Sequence, residues 1–368
     1  MNPRYAHITG WGMAVPEKVL TNSDLEKIVD TNDEWIVSRT GIRQRHIAGA
    51  NETTATLAAD AALRALEVAN LHPADLDMII LSTSSPEHIF PATASLVQDR
   101  IGAVKAGAFD LLAACTGFVY AVNLGSQAIK SNGANNVLVI GSETLSRVVN
   151  WKDRNTCILF GDGAGAFVLQ ASEEPGGVIS AVLRSDGSGA NLLSVPAGGS
   201  RHPASMQTLY DGMHYIQMNG REVFRFATRV MAEASQQTIE AADLTMDDIS
   251  LVIPHQANLR IIEAAARGLD IPMDQVMVNL DRYGNTSTAS IPIATIEAIQ
   301  QGRLNPGDKT VMVAFGSGLT WGAVLVEWTG PLPSLRKVST RQVRWTARIR
   351  SMFARLRRRI EGFIWGRE

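Results

Sequence analysis

Three residues of this chain have types and neighbours suited to covalent carbon chemistry: Cys115, His255 and Asn285. Cys115 closes the apolar run Phe109-Asp110-Leu111-Leu112-Ala113-Ala114-Cys115, and a helix-competent stretch follows from Thr116 to about Ser131. A thiol at such a strand-to-helix turn meets unpaired backbone N–H groups and the positive end of a helix dipole. Both favour the thiolate, the form that attacks carbonyl carbon. Cysteine is also a small apolar residue that packs cores, and the local context leaves both readings open. His255 lies in Ile253-Pro254-His255-Gln256-Ala257-Asn258, at the end of a strand and before a helix. Asn285 lies in Tyr283-Gly284-Asn285-Thr286-Ser287, before the apolar stretch Ile291 to Ile299. Taken singly, this histidine also reads as a hydrogen-bonded structural group and this asparagine as a turn former.

The elements that must position these residues are present twice. Ala69 to Asp77 leads into a buried-strand run, Met78 to Ser82, and Ala242 to Ser250 leads into Leu251 to His255. Leu71 and Leu76 match Leu244 and Ile249 in spacing, and each copy follows a helical segment, Thr54 to Val68 or Val223 to Ala241. The correspondence continues through Asn136 to Gly141 and Thr310 to Gly316, then through Ala166 to Leu169 and Ala323 to Val326. Strands alternating with helices, made twice, predict an α/β protein of two related halves with mostly buried sheets. Residues 1–173 carry the nucleophile, 174–330 carry His255 and Asn285, and 331–368 form an extension. The site is expected at the seam. The Gly-, Ser- and Pro-rich stretch from Ser185 to Pro203 reads as an irregular excursion near the boundary.

Composition narrows the classes. With 368 residues, 45% hydrophobic and 19% charged, the chain can bury a large core. Two cysteines make a disulfide scaffold implausible, and a free thiol fits a reducing compartment. The first residues, Met1 to His7, lack the form of a signal peptide, and no apolar run approaches the ~18 residues needed to span a bilayer. A cytoplasmic protein is expected, with no nucleic-acid partner and no metal, since there is no ligand cluster. Gly161-Asp162-Gly163-Ala164-Gly165 lacks the spacing of a nucleotide loop and reads as close backbone packing. Cys157, in the β-rich run Thr156 to Phe160, is expected to be buried and inert.

Six stretches, in order, resemble the β-ketoacyl-acyl-carrier-protein synthase III family. They are Asp33 to Arg43, Ala113 to Phe118, Phe160 to Gly165, Pro254 to Asn258, Gly284 to Ser287 and Ala314 to Gly322, spread over roughly residues 4–328. The resemblance implies the thiolase fold, duplicated halves in an αβαβα layered arrangement, and a homodimer. It implies that a short acyl-CoA acylates Cys115. Malonyl-acyl-carrier protein then loses CO2, and its enolate, held by hydrogen bonds from His255 and Asn285, attacks the acyl group. The products are a 3-oxoacyl-acyl-carrier protein, CoA and CO2, with no cofactor beyond the CoA thioester substrate. The backbone N–H groups of Cys115 and Ser317 match an oxyanion hole. Trp35, Arg39, Arg154 and Asn258 match CoA contacts, with surface packing or turn capping as the alternative. Phe90 matches an acyl-pocket residue offered by the other subunit, with plain core as its alternative, and Phe315 matches a shield of the decarboxylation site. Arg225 and Arg260 match basic residues at the pocket mouth where an acidic carrier protein docks, with solvated surface charge as the alternative. Ser317 stands where glycine is frequent and Thr116 where alanine is. A related acyl-CoA condensing or acyl-transfer enzyme of polyketide or other specialised metabolism is the alternative.

The resemblance stops near Trp328. Between Pro331 and Glu368 eleven Lys or Arg face two Glu, a net +9, which leaves −11 for residues 1–330. Trp345, Ile349, Met352, Phe353, Leu356, Ile360, Phe363 and Ile364 are spaced as one face of a helix, and arginines from Arg348 to Arg359 fill the others. This basic amphipathic helix is expected to lie on an anionic membrane through 345–364, dock on its own body or dimer mate, or attract the carrier protein.

Overall fold

Runs that are apolar on both faces make strands that must be covered on both sides. A computed structural model describes residues 3–331 and 338–365, without side chains for 362–365. Its first sheet contains β1 (Tyr5–Ala14), β2 (Met78–Ser82), β3 (Gly107–Leu111), β4 (Asn136–Glu143) and β5 (Gly163–Ser172), in the order β1-β5-β4-β2-β3. The second contains β6 (Gly177–Ser185), β7 (Leu251–Pro254), β8 (Lys309–Gly316) and β9 (Thr320–Glu327), in the order β7-β8-β9-β6. β2 is parallel to β4, and β4–β5 and β5–β1 are antiparallel. In the same way β7 is parallel to β8, and β8–β9 and β9–β6 are antiparallel. One arrangement is thus built twice. The first sheet adds β3, parallel to β2, at its edge, while the matching place beside β7 holds only a bridge from Val252 to Val276.

The main helices are α1 (Thr54–Val68), α2 (Thr93–Ile101), α3 (Gly117–Lys130), α4 (Gly220–Glu240), α5 (Leu259–Gly268), α6 (Ser290–Gln300) and α7 (Thr340–Trp365). Strand periodicity sorts the strand residues between layers. Val137 and Val139 point inward to a core shared with Val119 and Val122 of α3, Ile291 and Ala294 of α6, and Ile253, Met312 and Val324 of the second sheet. Leu138 and Ile140 point outward, under α1 and α2. Val311, Val313 and Leu325 pack beneath α4 and α5. The layers therefore run helix, sheet, helix, sheet, helix, as the resemblance implies. α6 is apolar nearly all round because it is covered from both sides, and its residues from Ser290 to Ala298 are all buried. Each such Ile or Leu contributes about 2 kcal/mol of burial.

α7 rests on α1 and α2, and its buried face is not the one its large apolar residues suggest. Val343, Ala347 and Ser351 are buried, whereas Trp345, Met352, Phe353, Leu356 and Ile360 are exposed. Small side chains allow close approach to α2, and the large ones turn away. The side chains of Phe363 and Ile364 lie outside the described residues, as do 332–337 and 366–368 of the basic extension. Among the described residues no helix is long and apolar enough to cross a membrane.

Candidate active site

Cys115 sits on a single 3-10 turn, Ala114–Thr116, that joins the segment after β3 to the start of α3. Ala114 adopts φ +46°, a left-handed conformation that costs about 1 kcal/mol for a residue with a Cβ. The second half fastens this turn. Thr320 Oγ1 donates to Ala113 O at 3.1 Å and lies 3.0 Å from Thr116 Oγ1, so Thr116 serves as a tie between halves. At the end of β8, a Cβ on Gly316 would stand 2.8 Å from Cys115 N, so only glycine permits the approach. Position on a helix N-terminus predicts a lowered thiol pKa, and the structure corrects this. Burial pushes Cys115 up to about 12, Ser287 offsets part of the rise by hydrogen bonding, and the nearby Glu143 carboxylate adds to it. Cys115 is thus a neutral thiol near pH 7.

His255 follows β7, with its N–H bonded to Val313 O at 2.8 Å. Its Nδ1 is 2.7 Å from Ser290 Oγ at the start of α6, and the Phe315 ring packs edgewise with centroids 5.4 Å apart. Nε2 is buried and has no partner among the described residues. Burial pushes the imidazole down to about 3, so it is neutral near pH 7. Asn285 is clamped through its backbone, donating to Leu159 O at 2.8 Å and accepting from Gly161 N at 3.0 Å. Its Oδ1 accepts from Ser287 N at 2.8 Å, which leaves the Nδ2 hydrogens for a ligand. The preceding loop is anchored by Glu297, which accepts from Asn279 Nδ2, from both terminal nitrogens of Arg282 and from the Tyr283 hydroxyl.

These side chains line one cleft of about 1330 Å³. Cys115, His255, Asn285 and Phe315 form its buried end, beside Gly316, and Trp35, Arg39, Asn258, Arg225 and Arg260 line its more exposed part. The Trp35 ring has the Arg39 guanidinium 4.6 Å and the Arg154 guanidinium 5.1 Å from its centroid. Asn258 caps α5 through Arg260 N at 2.9 Å and also donates to Arg39 O, so it has a structural task whatever it binds. Arg225 pairs with Glu222 at 2.9 Å, and Arg260 lies over the Phe224 ring. Ser317 directly follows Gly316, and its hydroxyl donates to Leu193 O. Phe90 is not brought to this cleft. It is 85% exposed in the segment between β2 and α2, which corrects the plain-core alternative.

Other expectations resolve locally. In the glycine-rich stretch, a Cβ on Gly165 would meet Pro292 at 2.6 Å, and Asp162 accepts from Ala48 N, Ser146 N and Ser146 Oγ, all close packing. Cys157 is buried as expected, but it ends a helical turn, Arg154–Cys157, rather than lying in a strand. Burial pushes its thiol up to about 11. Among the described residues no group of three His, Cys, Asp or Glu is placed to hold a metal. Sequence reasoning missed Ser290, thirty-five residues from the histidine it orients, and Glu143, whose signal was a lone acid closing an apolar strand. Glu143 is fully buried and accepts from Ser84 N, Ser85 Oγ and Thr83 Oγ1.

Two family models match the chain: 3-oxoacyl-[acyl-carrier-protein] synthase III over residues 109–187 and the C-terminal model of the same synthase over 239–328. The β-ketoacyl-[acyl-carrier-protein] synthase III of Roseiflexus sp. (strain RS-1) is 56% identical over 325 residues, covering 88% of this chain and 99% of that one. The crystal structure of the Aquifex aeolicus VF5 synthase III superposes with a TM-score of 0.82 at 50% identity, covering 88% of this chain and 100% of that one. The priming β-ketosynthase from the R1128 polyketide pathway gives a TM-score of 0.83 at 34% identity, covering 90% and 98%.

Proposed function

This chain belongs to the β-ketoacyl-acyl-carrier-protein synthase III family, and from that premise we propose how its cleft performs the family's condensation. It is an acyltransferase, the initiating condensing enzyme of fatty-acid synthesis. The identity to synthase III relatives, well above that to the polyketide enzyme, favours this over a specialised pathway. Acyl-CoA and an acyl carrier protein are the partners that role implies.

In the first half-reaction the Cys115 sulfur bonds to the acyl carbon, the bond to CoA sulfur breaks, and the thiol proton ends on the departing CoA. A thiol held near 12 makes deprotonation part of the encounter with the thioester rather than a feature of the resting enzyme. In the second, malonyl-carrier protein loses CO2 and leaves an enolate. Neutral His255, protonated on Nε2 when Ser290 donates to Nδ1, gives one hydrogen bond to the enolate oxygen, and Asn285 Nδ2 gives the other. The enolate carbon attacks the acyl carbon, the oxyanion meets the amides of Cys115 and Ser317, and the bond to Cys115 breaks. The sulfur then takes back a proton. Phe315 lies against the His255 ring and keeps water from the decarboxylation site. These steps call on no cofactor beyond the thioester.

Trp35 stacks the adenine of CoA against Arg154, with Arg39 and Asn258 beside it. Arg225 and Arg260 receive the carrier protein. The exposed β3 edge, with Ile89, Phe90, Phe109 and Leu112 exposed around it, supports a homodimer in which Phe90 closes the partner's acyl pocket and limits the primer to short chains. The halves divide at 173/174, between β5 and β6, and the chemistry runs in the cytoplasm. The observation that carries this reading is that Cys115, His255 and Asn285, supplied by different halves, line the buried end of one cleft. Mass spectrometry after incubation with acetyl-, isobutyryl- and octanoyl-CoA tests it. One acyl adduct on Cys115, absent in Cys115→Ala and discharged by malonyl-carrier protein, is expected, and no adduct from any of the three overturns it.

A further inference from the structure

α7 takes no part in the condensation, yet it is held to the body with some care. Val343, Ala347 and Ser351, four residues apart, form its buried line. Arg344 pairs with Asp60 of α1 at 2.9 Å, Ser351 Oγ donates to Asp99 of α2 at 2.6 Å, and Val338 N donates to Asn70 Oδ1 at 2.6 Å. Ala347 packs on Gly102, where a Cβ would stand 3.1 Å away. These contacts consume the small face of the helix only.

At about 3.6 residues per turn, Trp345, Met352, Phe353, Leu356 and Ile360 fall on the side opposite that buried line. All five are at least half exposed. Arg341, Arg348 and Arg359 border this outward stripe on one side, and Arg350 and Arg357 border it on the other. Between 338 and 365 there are eight Arg and one Glu, a net +7, and the Glu361 carboxylate is paired with Arg357 at 2.6 Å. A helix kept only to cover α1 and α2 would turn its large apolar residues inward. Apolar rings and aliphatic chains flanked by arginines match a helix lying in a lipid interface, where long basic stems can cover apolar surface and keep their charged heads in water. A second copy of the same face would set its five flanking arginines against five more. The carrier-docking arginines, Arg225 and Arg260, belong to the opposite outer layer of α4 and α5.

We propose that α7 is a two-faced adaptor: its small face grips the first half, and its outward Trp345-to-Ile360 stripe with flanking arginines seats the enzyme on an anionic lipid surface. The inference is independent of the catalytic assignments. It is tested by flotation of the full-length protein with phosphatidylcholine vesicles, alone or mixed with phosphatidylglycerol. Flotation is expected with the anionic vesicles, falling roughly tenfold with neutral ones or in high salt. The W345S/F353S/L356S variant should lose flotation while keeping solution condensing activity, and R350Q/R357Q should weaken it with the apolar stripe intact. Equal flotation of wild type and the triple variant overturns the proposal. So does failure to float on anionic vesicles, or lipid-free light scattering in which the stripe joins two copies instead.

Discussion

At the residue scale, the reactive thiol and its histidine neighbour are shifted in opposite directions by one cause, removal from water. Cys115 is pushed up from 9.0 to about 12, so its alkylation by iodoacetamide should still be accelerating at pH 10. A plateau below pH 8 would mean a preformed thiolate. The folded state keeps a thiol proton that the unfolded chain gives up above pH 9, so this contribution to stability is lost as pH rises from there towards 12. His255 works from the acid side. It stays neutral in the fold down to about 3 while the unfolded chain takes a proton below 6.5, so stability falls as pH drops below 6.5. Guanidinium titrations at stepped pH should show both flanks. The division of labour predicts that His255→Ala and Asn285→Ala still form the acyl adduct but lose condensation by ~10²–10³-fold. Equal loss of both half-reactions would refute separate roles. Cys115, His255 and Asn285 could be singled out as candidates because each stands at a strand end or a glycine turn, and the structure brings all three to one cleft. Ser290 and Glu143 were not, since their partners are set by tertiary approach that no local spacing encodes. Nor could local position reveal the thiol's burial, which outweighs the helix terminus.

At the scale of elements, the site depends on strand ends that meet across the two halves. Gly316→Ala would drive a methyl into the backbone of the nucleophile turn, and the expected outcome is loss of Cys115 acylation with CoA binding retained. Calorimetric titration with CoA beside the acylation assay would separate the two. Glu297 gathers four donors from the loop that precedes Asn285, so Glu297→Ala should destabilise the protein by about 3 kcal/mol, read as a shift in the denaturant midpoint. A shift near zero would show that the loop holds without it. The duplicated strands were legible because each is an apolar run and the runs recur in the same order in both halves. The stretch Thr156 to Phe160 was misread as strand because so short an apolar run fits a buried helical turn equally well.

At the scale of the whole molecule, the spacing in the tail marks the residues of a helical face, but nothing in spacing says whether that face turns inward. The body supplied small-residue contacts and acidic partners at Asp60 and Asp99, and these chose the other side. The two related halves with buried sheets followed from the repeat, whereas the five layers were implied by the family resemblance. The association predicted for β3 can be read by light scattering: Phe109→Asp should give a monomer with little condensing activity, and an unchanged mass would remove β3 from the interface. The unequal edges of the two sheets bear on how such growth stops. β3 is mostly half-exposed, whereas β7 is buried throughout and bridged at Val252. In the proposed dimer, a β3 that pairs with its own two-fold copy uses up that edge on each molecule. Such a pairing closes on itself, so a dimer built this way would leave no β3 edge free to seed an endless sheet.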